Sequence, residues 1–535
     1  MSIRTDIATE LPDAELVFAF VAPLGTPLKA VEEALHQALS AHGYSPGVSV
    51  RISKLLDEMV ETPPEERPHQ RQERLMDAGN NLREKRGNDH LALLAISTVK
   101  AAREEAEEGA PLRRQAHVIR SLKHPDEVRR LRHVYGKGFF LIGATAPRDV
   151  RLQALIEKNF PKDEAQRLLD KDASEEAASG QQTRDAFDLA DAYVRLDPTK
   201  TEQAVKKIRR IVDLLFSYPF HPPTPEEHAM FMAYAAALKS SDLSRQVGAV
   251  VTSAKGDVLA SGANDAPGGI QPRSCPSPEL DTATTEAAGP DYLRGYDSNE
   301  RERNRILSRV IRALVPGEEG EAELAPADRA KLIERYKEQL KGTGILDLTE
   351  FGRAVHAEMA ALMACVRIGV SPRGGALYCT TFPCHNCAKH IVASGVREVF
   401  YVEPYPKSKA RDLHGDEICL PDEEAPGDDD ERVRFRAFEG VGPRRFLDLF
   451  SLTLGSGRPV MRKKKGADGQ RVDWQPGQDS RPRLPLDPRS YIEREVAAAE
   501  IFGQSRQNHD KVGDQEGEHG REAAEAKDDE PEAGA

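Results

Sequence analysis

The 535-residue chain has one tryptophan, six cysteines and only 6% aromatic residues. No apolar run approaches the roughly 20 residues that a membrane-spanning helix needs, so no membrane partner is expected. No charged–apolar–small leader precedes the first apolar segment. So few cysteines fit a reducing, cytoplasmic setting. A basic surface is lacking too. The net charge is −13, which argues against broad nucleic-acid binding, and no aromatic-rich basic groove of the kind used by single-strand binders is apparent. There is no internal repeat. What remains is a soluble globular composition, 39% hydrophobic, long enough for two to three domains.

The chemistry is concentrated in two short segments. His356-Ala357-Glu358 reads H-x-E, and Pro383-Cys384-His385-Asn386-Cys387 reads P-C-x-x-C. This pairing resembles the signature of the zinc-dependent nucleobase deaminases. One imidazole and two thiolates make three protein ligands, the number a catalytic zinc takes while leaving a fourth position for water. Zn2+ is therefore the expected cofactor, held by His356, Cys384 and Cys387. Glu358 is the acid built into the motif and is the expected general acid/base. A lone C-x-x-C also fits a redox pair or a structural zinc half-site. The redox reading lacks a reason for the upstream H-x-E. The structural reading needs a fourth ligand, for which His385 is awkwardly placed. Haem attachment would need His where Ala388 stands.

The spacing gives these residues a setting. Residues 353–368 (RAVHAEMAALMACVRI) predict a helix with His356 and Glu358 in its first turn. Residues 376–380 predict a strand, 384–394 a second helix with both cysteines at its start, and 397–402 a further strand. A helix start favours thiolate. Cys365 and Cys379 sit among apolar residues and read as small buried side chains; Cys275 and Cys419 show no paired spacing either.

Residues 240–264 (SSDLSRQVGAVVTSAKGDVLASGAN) and 354–405, with TTFPCHNCAKHIVASGVREVFYVEPY, resemble the deoxycytidylate deaminases. The resemblance implies a three-layer αβα cytidine-deaminase-like domain over 226–450, free deoxycytidine nucleotides as substrates, and a sugar contact from Asn264. Turn chemistry alone also explains an Asn at that position. Arg245 is a candidate phosphate ligand by charge, with a solvated surface arginine as the alternative. The chain departs from compact family members in an insert over 265–352. Its role as a cap, an oligomer contact or a regulatory element stays open.

The amino-terminal part, 14–215, has its own pattern. Residues 15–22 (ELVFAFVA), 91–96 (LALLAI), 115–121 and 138–143 (GFFLIG) predict strands, alternating with helical stretches such as 27–42. That alternation indicates a parallel α/β sheet. Strand, Gly-turn and helix at Pro23-Leu24-Gly25-Thr26 is the setting of a phosphate-binding loop. Measured against that motif, Thr26 replaces the Lys and Pro27 the Ser/Thr. Backbone amides at Gly25 and Thr26 are still candidates for holding an anion; an ordinary turn explains the loop equally. Together with Gln181–Asp191, this part resembles the degenerate P-loop nucleotide-kinase-like domain of the bacterial antiviral dCTP/dCMP deaminases. That resemblance implies depletion of cytosine deoxynucleotides during phage infection; a phosphate-loop fold kept without its catalytic groups points to a nucleotide or RNA regulator at the amino-terminal domain, and the resemblance to the deoxycytidylate deaminases implies a homo-oligomer.

Residues 216–225 (FSYPFHPPTP, residue 216 being Phe) form a proline-rich linker. Thr224 and Pro225 are placed to start the next helix. A carboxy-terminal extension spans 451–502 and includes the basic run Arg462-Lys463-Lys464-Lys465. Beyond it, 503–535 is an acidic tail expected to be disordered. Two further functions remain in view: a deaminase acting on a flipped base in RNA or single-stranded DNA, and a nucleotide kinase in the amino-terminal domain.

Overall fold

The computed structural model describes residues 13–107, 109–174, 180–197, 201–267, 290–318, 323–340, 343–348, 350–404, 409–420, 430–453, 459–464, 468–483 and 491–504. Cys275, Lys465 and the acidic tail from 505 onward lie outside them. The chain forms two compact units, Met1–Pro223 with Glu403–Tyr405 and Glu439–Ala535, and Thr224–Val402 with Pro406–Phe438. Each contains one six-stranded sheet flanked by helices. Among the described residues no helix is long and apolar enough to cross a membrane.

In the first unit, β1 (Leu16–Val21), β2 (Ser45–Arg51), β3 (Gln115–Leu122), β4 (Phe139–Thr145) and β5 (Ala192–Arg195) run parallel in the order β5-β4-β1-β3-β2. The unbroken apolar runs of β1 and β4 follow from burial on both faces. Phe18, Phe20 and Phe140 pack into a core with Leu35 of the helix Leu28–Ala41 and Ile208 of the helix Thr201–Leu215. The chain leaves β1 for one side of the sheet and returns to the other, which places a topological switch at its carboxyl end.

Three expectations need correction here. Residues 91–96 are not a strand but part of the helix His90–Glu107. The buried positions Ala92, Ile96, Val99 and Arg103 recur at helical spacing, and eighteen residues exceed a strand's usual length. Residues 439–450, read with the second domain, join the first unit. Gly440–Val441 adds an antiparallel strand to β5, and Arg445 lies buried with its guanidinium on Asp191, 3.0 Å away. The linker also begins inside the core, because Phe216 is fully buried and stacks on His42 at 4.5 Å.

In the second unit, β6 (Gly248–Thr252), β7 (Val258–Ala263), β8 (Ala376–Cys379), β9 (Glu398–Tyr401), β10 (Ile418–Cys419) and β11 (Val433–Ala437) form a mixed sheet in the order β10-β11-β9-β8-β6-β7. Antiparallel β6 separates β7 from four parallel strands. The helix Pro225–Ala237 starts as the sequence indicates: Thr224 and Glu227 close a reciprocal capping box. The helix Ala357–Ile368 lies directly against β7. A Cβ on Gly262 would meet the Ala361 backbone nitrogen at 2.3 Å, so no larger residue fits this crossing.

Candidate active site

Two helix starts build the site. His356 is the N-cap of Ala357–Ile368, with an extended ψ of 150°, and Cys384 is the N-cap of His385–Ser394. The first helix thus begins four residues later than the pattern of 353–368 predicts. His356 precedes its first turn, while Glu358 stays within it. The cause is Val355, which forms an antiparallel bridge with Asp265 just beyond β7. Its amide donates to the Asp265 carbonyl at 2.9 Å and is unavailable to a helix.

The imidazole Nδ1 of His356 lies 3.4 Å from Sγ of Cys384 and 3.4 Å from Sγ of Cys387. All three ligand atoms fall within 4.8 Å of one another. Tetrahedral zinc with ordinary Zn–N and Zn–S bonds separates its N and S ligands by about 3.6 Å, so the donor set fits the ion in both chemistry and spacing. Among the described residues no fourth His, Cys, Asp or Glu joins the cluster, and His385 is outside it. That leaves one coordination position for water or substrate, as a catalytic site requires.

The two thiols share a hydrogen bond. That contact, helped by His356, holds the Cys384 thiol far below its usual range against the opposing effect of burial. The same contact and burial push the Cys387 thiol up. The pair therefore sheds its first proton readily, the form a metal takes. His356 is raised, chiefly by its bond to Cys384. Glu358 is only 4% exposed. Burial pushes its carboxyl above the ordinary carboxylate range, with the neighbouring Cys384 charge adding to the effect.

A cavity of about 330 Å³ opens over this cluster, lined by His356, Glu358 and Cys384 together with Asn264 and Arg245. The Asn264 side chain is already engaged: Oδ1 accepts from the Val247 amide at 2.7 Å and Nδ2 donates to the Arg245 carbonyl at 2.8 Å. It ties down the loop that presents Arg245. The Arg245 side chain is exposed and makes no ion pair among the described residues. Sequence reasoning left the role of the insert open, a cap among the alternatives, and named none of its residues. Its residues Asp291, Asp297 and Asn299 line the same cavity, as does Arg353 just beyond it, held 3.2 Å from Asp291. Nothing periodic marks these residues; only the charged character of the segment pointed to them. Gly25 and Thr26 lie in the first unit and take no part in this cavity.

Residues 223–403 match the family model of the cytidine and deoxycytidylate deaminase zinc-binding region. This part of the chain is thus similar to the zinc-binding region of cytidine and deoxycytidylate deaminases. ComE operon protein 2 of Bacillus subtilis (strain 168) is 42% identical over 53 residues, which are 10% of this chain and 28% of that protein. The deoxycytidylate deaminase of Enterobacteria phage T2 is 42% identical over 55 residues, 10% of this chain and 29% of the phage protein. The chain thus spans less than a third of the length of these curated relatives. A crystal structure of dCMP deaminase from the cyanophage S-TIM5, in complex with dCMP and dUMP, aligns over 41% of this chain and all of its own at 19% identity, with a TM-score of 0.22.

Proposed function

We propose that the second unit hydrolytically deaminates a cytosine deoxynucleotide, dCMP or dCTP, to its uracil form and ammonia. The observation that carries this reading is the buried Glu358 carboxyl on the wall of the cavity that holds the His356–Cys384–Cys387 cluster. Bound there, zinc makes a water molecule acidic enough to serve as nucleophile near neutral pH. Glu358, raised by burial, is matched to proton transfer in both directions. It takes a proton from the attacking water as oxygen adds to the amine-bearing ring carbon, and passes that proton to the ring nitrogen. It then takes the remaining proton of the added hydroxyl and delivers it to the amino group, which leaves as ammonia when the C–N bond breaks. His356, Cys384 and Cys387 hold the metal throughout. Asn264 positions the loop and contacts the sugar; the exposed Arg245 meets the phosphate.

A free nucleotide is favoured over a polymer. The chain carries a net charge of −13, and its sequence offers no aromatic-rich basic groove of the kind that holds a continuous strand. By resemblance, the product pool change serves anti-phage defence in the cytoplasm of a bacterium. The first unit acts as a ligand-responsive regulator, and the chain assembles with copies of itself.

The test is ammonia release by the zinc-loaded chain across dCMP, dCTP, deoxycytidine, CMP and a single-stranded DNA oligonucleotide, with Glu358→Ala as control. Turnover of a free deoxynucleotide that is lost in the control is expected. Turnover confined to the oligonucleotide would overturn the substrate assignment. Equal activity in the control would overturn the role of Glu358.

A further inference from the structure

The insert folds back on the active-site cavity. Its helix Ser298–Leu314 starts at Asp297, whose Oδ1 accepts from the Glu300 amide at 2.8 Å. Such a cap fixes where a helix begins. Side chains of its first two turns then hold the segment that runs toward His356. Asn299 Nδ2 donates to the Leu348 carbonyl at 2.8 Å, and its Oδ1 accepts from the Phe351 amide at 3.2 Å. Arg303 Nη1 donates to the Leu346 carbonyl at 3.0 Å. Arg353 therefore stands between two backbone anchors, the Asn299 contacts before it and the Val355–Asp265 bridge after it. With the backbone fixed on both sides, any adjustment falls to its side chain.

On the cavity wall the Arg353 guanidinium meets Asp291, Nη1 to Oδ1 at 3.2 Å. That carboxylate is already satisfied by its own segment. Oδ2 accepts from the Ser298 amide at 2.8 Å, and Oδ1 from the Ser298 hydroxyl at 2.9 Å. The contact with Arg353 is the longest of the three. Its partners are 29% and 21% exposed, so it holds the guanidinium weakly.

The other two acids on this wall are engaged as well. Asp242 Oδ1 accepts from the Ser244 amide at 2.9 Å, and Asp297 caps its helix. An arginine parked on a satisfied carboxylate is set to change partner when a stronger acceptor arrives. A phosphate is such an acceptor, because two of its oxygens match the planar fork of a guanidinium.

We propose that the insert completes the substrate site by presenting Arg353 to the phosphate of the nucleotide. On binding, Arg353 passes from Asp291 to the phosphate, and this exchange makes it the residue by which the site selects a nucleotide over its nucleoside. Asn299 is a positioning residue that acts through Arg353. The inference rests on the deaminase reading of this cavity and involves no covalent step.

Steady-state ammonia release by the full zinc-loaded chain tests it, with dCMP, dCTP and deoxycytidine as substrates. Arg353→Ala is expected to raise KM for both nucleotides by about 10- to 100-fold, the worth of a charge-assisted hydrogen bond. Its kcat is expected to stay within about threefold, since the contact exists before and during the reaction. Deoxycytidine carries no phosphate, and its turnover is expected to change by less than about threefold. Arg353→Lys keeps the charge without the fork and is expected to restore part of the loss. Asn299→Ala is expected to raise the nucleotide KM by about two- to tenfold, and to add nothing in the Arg353→Ala background.

Zinc content and melting temperature are measured on each variant, because a merely structural role would lower these and would slow nucleotide and nucleoside alike. Equal losses on the two kinds of substrate overturn the proposal, as does an unchanged nucleotide KM in Arg353→Ala. In either case turnover by the wild type leaves the deaminase reading standing. No turnover of any substrate by the wild type overturns that reading, and this inference with it.

Discussion

Asp265 and Val355 are ninety positions apart, yet they exchange a pair of backbone hydrogen bonds, 2.9 Å in one direction and 3.3 Å in the other. This bridge joins the end of β7 to the start of the helix Ala357–Ile368. It brings Asn264 and His356, each adjacent to a bridged residue, to one cavity. The metal ligands are thereby fixed by sheet and helix backbone, the rigid support that a preorganised site needs.

Removing the Glu358 carboxyl should separate chemistry from metal binding. Glu358→Gln is expected to keep zinc at wild-type stoichiometry and to lose deamination by about 10²–10⁴-fold, the usual worth of a positioned acid/base. Metal analysis beside an ammonia assay checks both halves. Loss of zinc in this variant would make Glu358 a ligand.

The ligand cluster predicts the opposite pattern for its members. Cys387→Ser and His356→Ala are each expected to lose bound zinc and activity together. Chelation of the wild type should have the same effect, reversed by added Zn2+. A variant that stays active while empty would sink the metal assignment.

Close packing at Gly262 predicts a remote route to the same defect. A methyl group there meets the backbone of Ala357–Ile368 at 2.3 Å. Gly262→Ala is therefore expected to shift the helix that begins beside His356. The cost is about 1–3 kcal/mol of stability, with weakened zinc retention. Thermal melting and zinc release kinetics report the two effects.

In the first unit, fully buried Arg103 lies 3.2 Å from Glu15 and also pairs with Glu495, carried on the helical segment 491–504. Glu495→Ala leaves that guanidinium short of a partner where water cannot reach. A loss of about 3–5 kcal/mol is expected, against about nothing for the exposed Glu33→Ala, whose carboxylate pairs with Lys29 at the surface. Urea denaturation distinguishes them.

His90 gives the first unit a defined acid sensitivity. It is fully buried, and burial, reinforced by the Arg86 charge, lowers it to about 4. The folded state thus takes its proton later than the unfolded state, whose histidine titrates near 6.5. The stability contribution is intact above pH 6.5 and falls as pH drops from there toward 4, by about 3 kcal/mol over that span. His90→Leu should flatten this part of the stability–pH curve. Equal slopes for wild type and variant between pH 6.5 and 4 would refute the assignment.

The metal triplet and Glu358 were legible in the sequence because each motif is local: a helix start and a few residues of spacing fix what they can bind. The strands β1, β3 and β4 were legible for a similar reason, as short apolar runs between turns. Residues 91–96 misled because a short apolar run looks alike in a strand and in a buried helix. Only the continuing spacing to Val99 and Arg103 separates the two. The helix start at Ala357 was misplaced because good helix formers precede it, and the bridge to Asp265 overrides their preference.

What the sequence by itself determined is the His/Cys/Cys donor set, the carboxyl placed beside it and the alternation of strands with helices, since these depend on residue type and near spacing. Tertiary structure alone decided that Asp291 of the insert and Arg353 just beyond it reach the cavity, that residues 439–450 join the first unit, and that Lys123 and Asp172 meet at the Gly25 loop. Each of these pairs residues far apart in the chain, and such contacts are set by how whole elements bury their apolar faces, which no local pattern encodes.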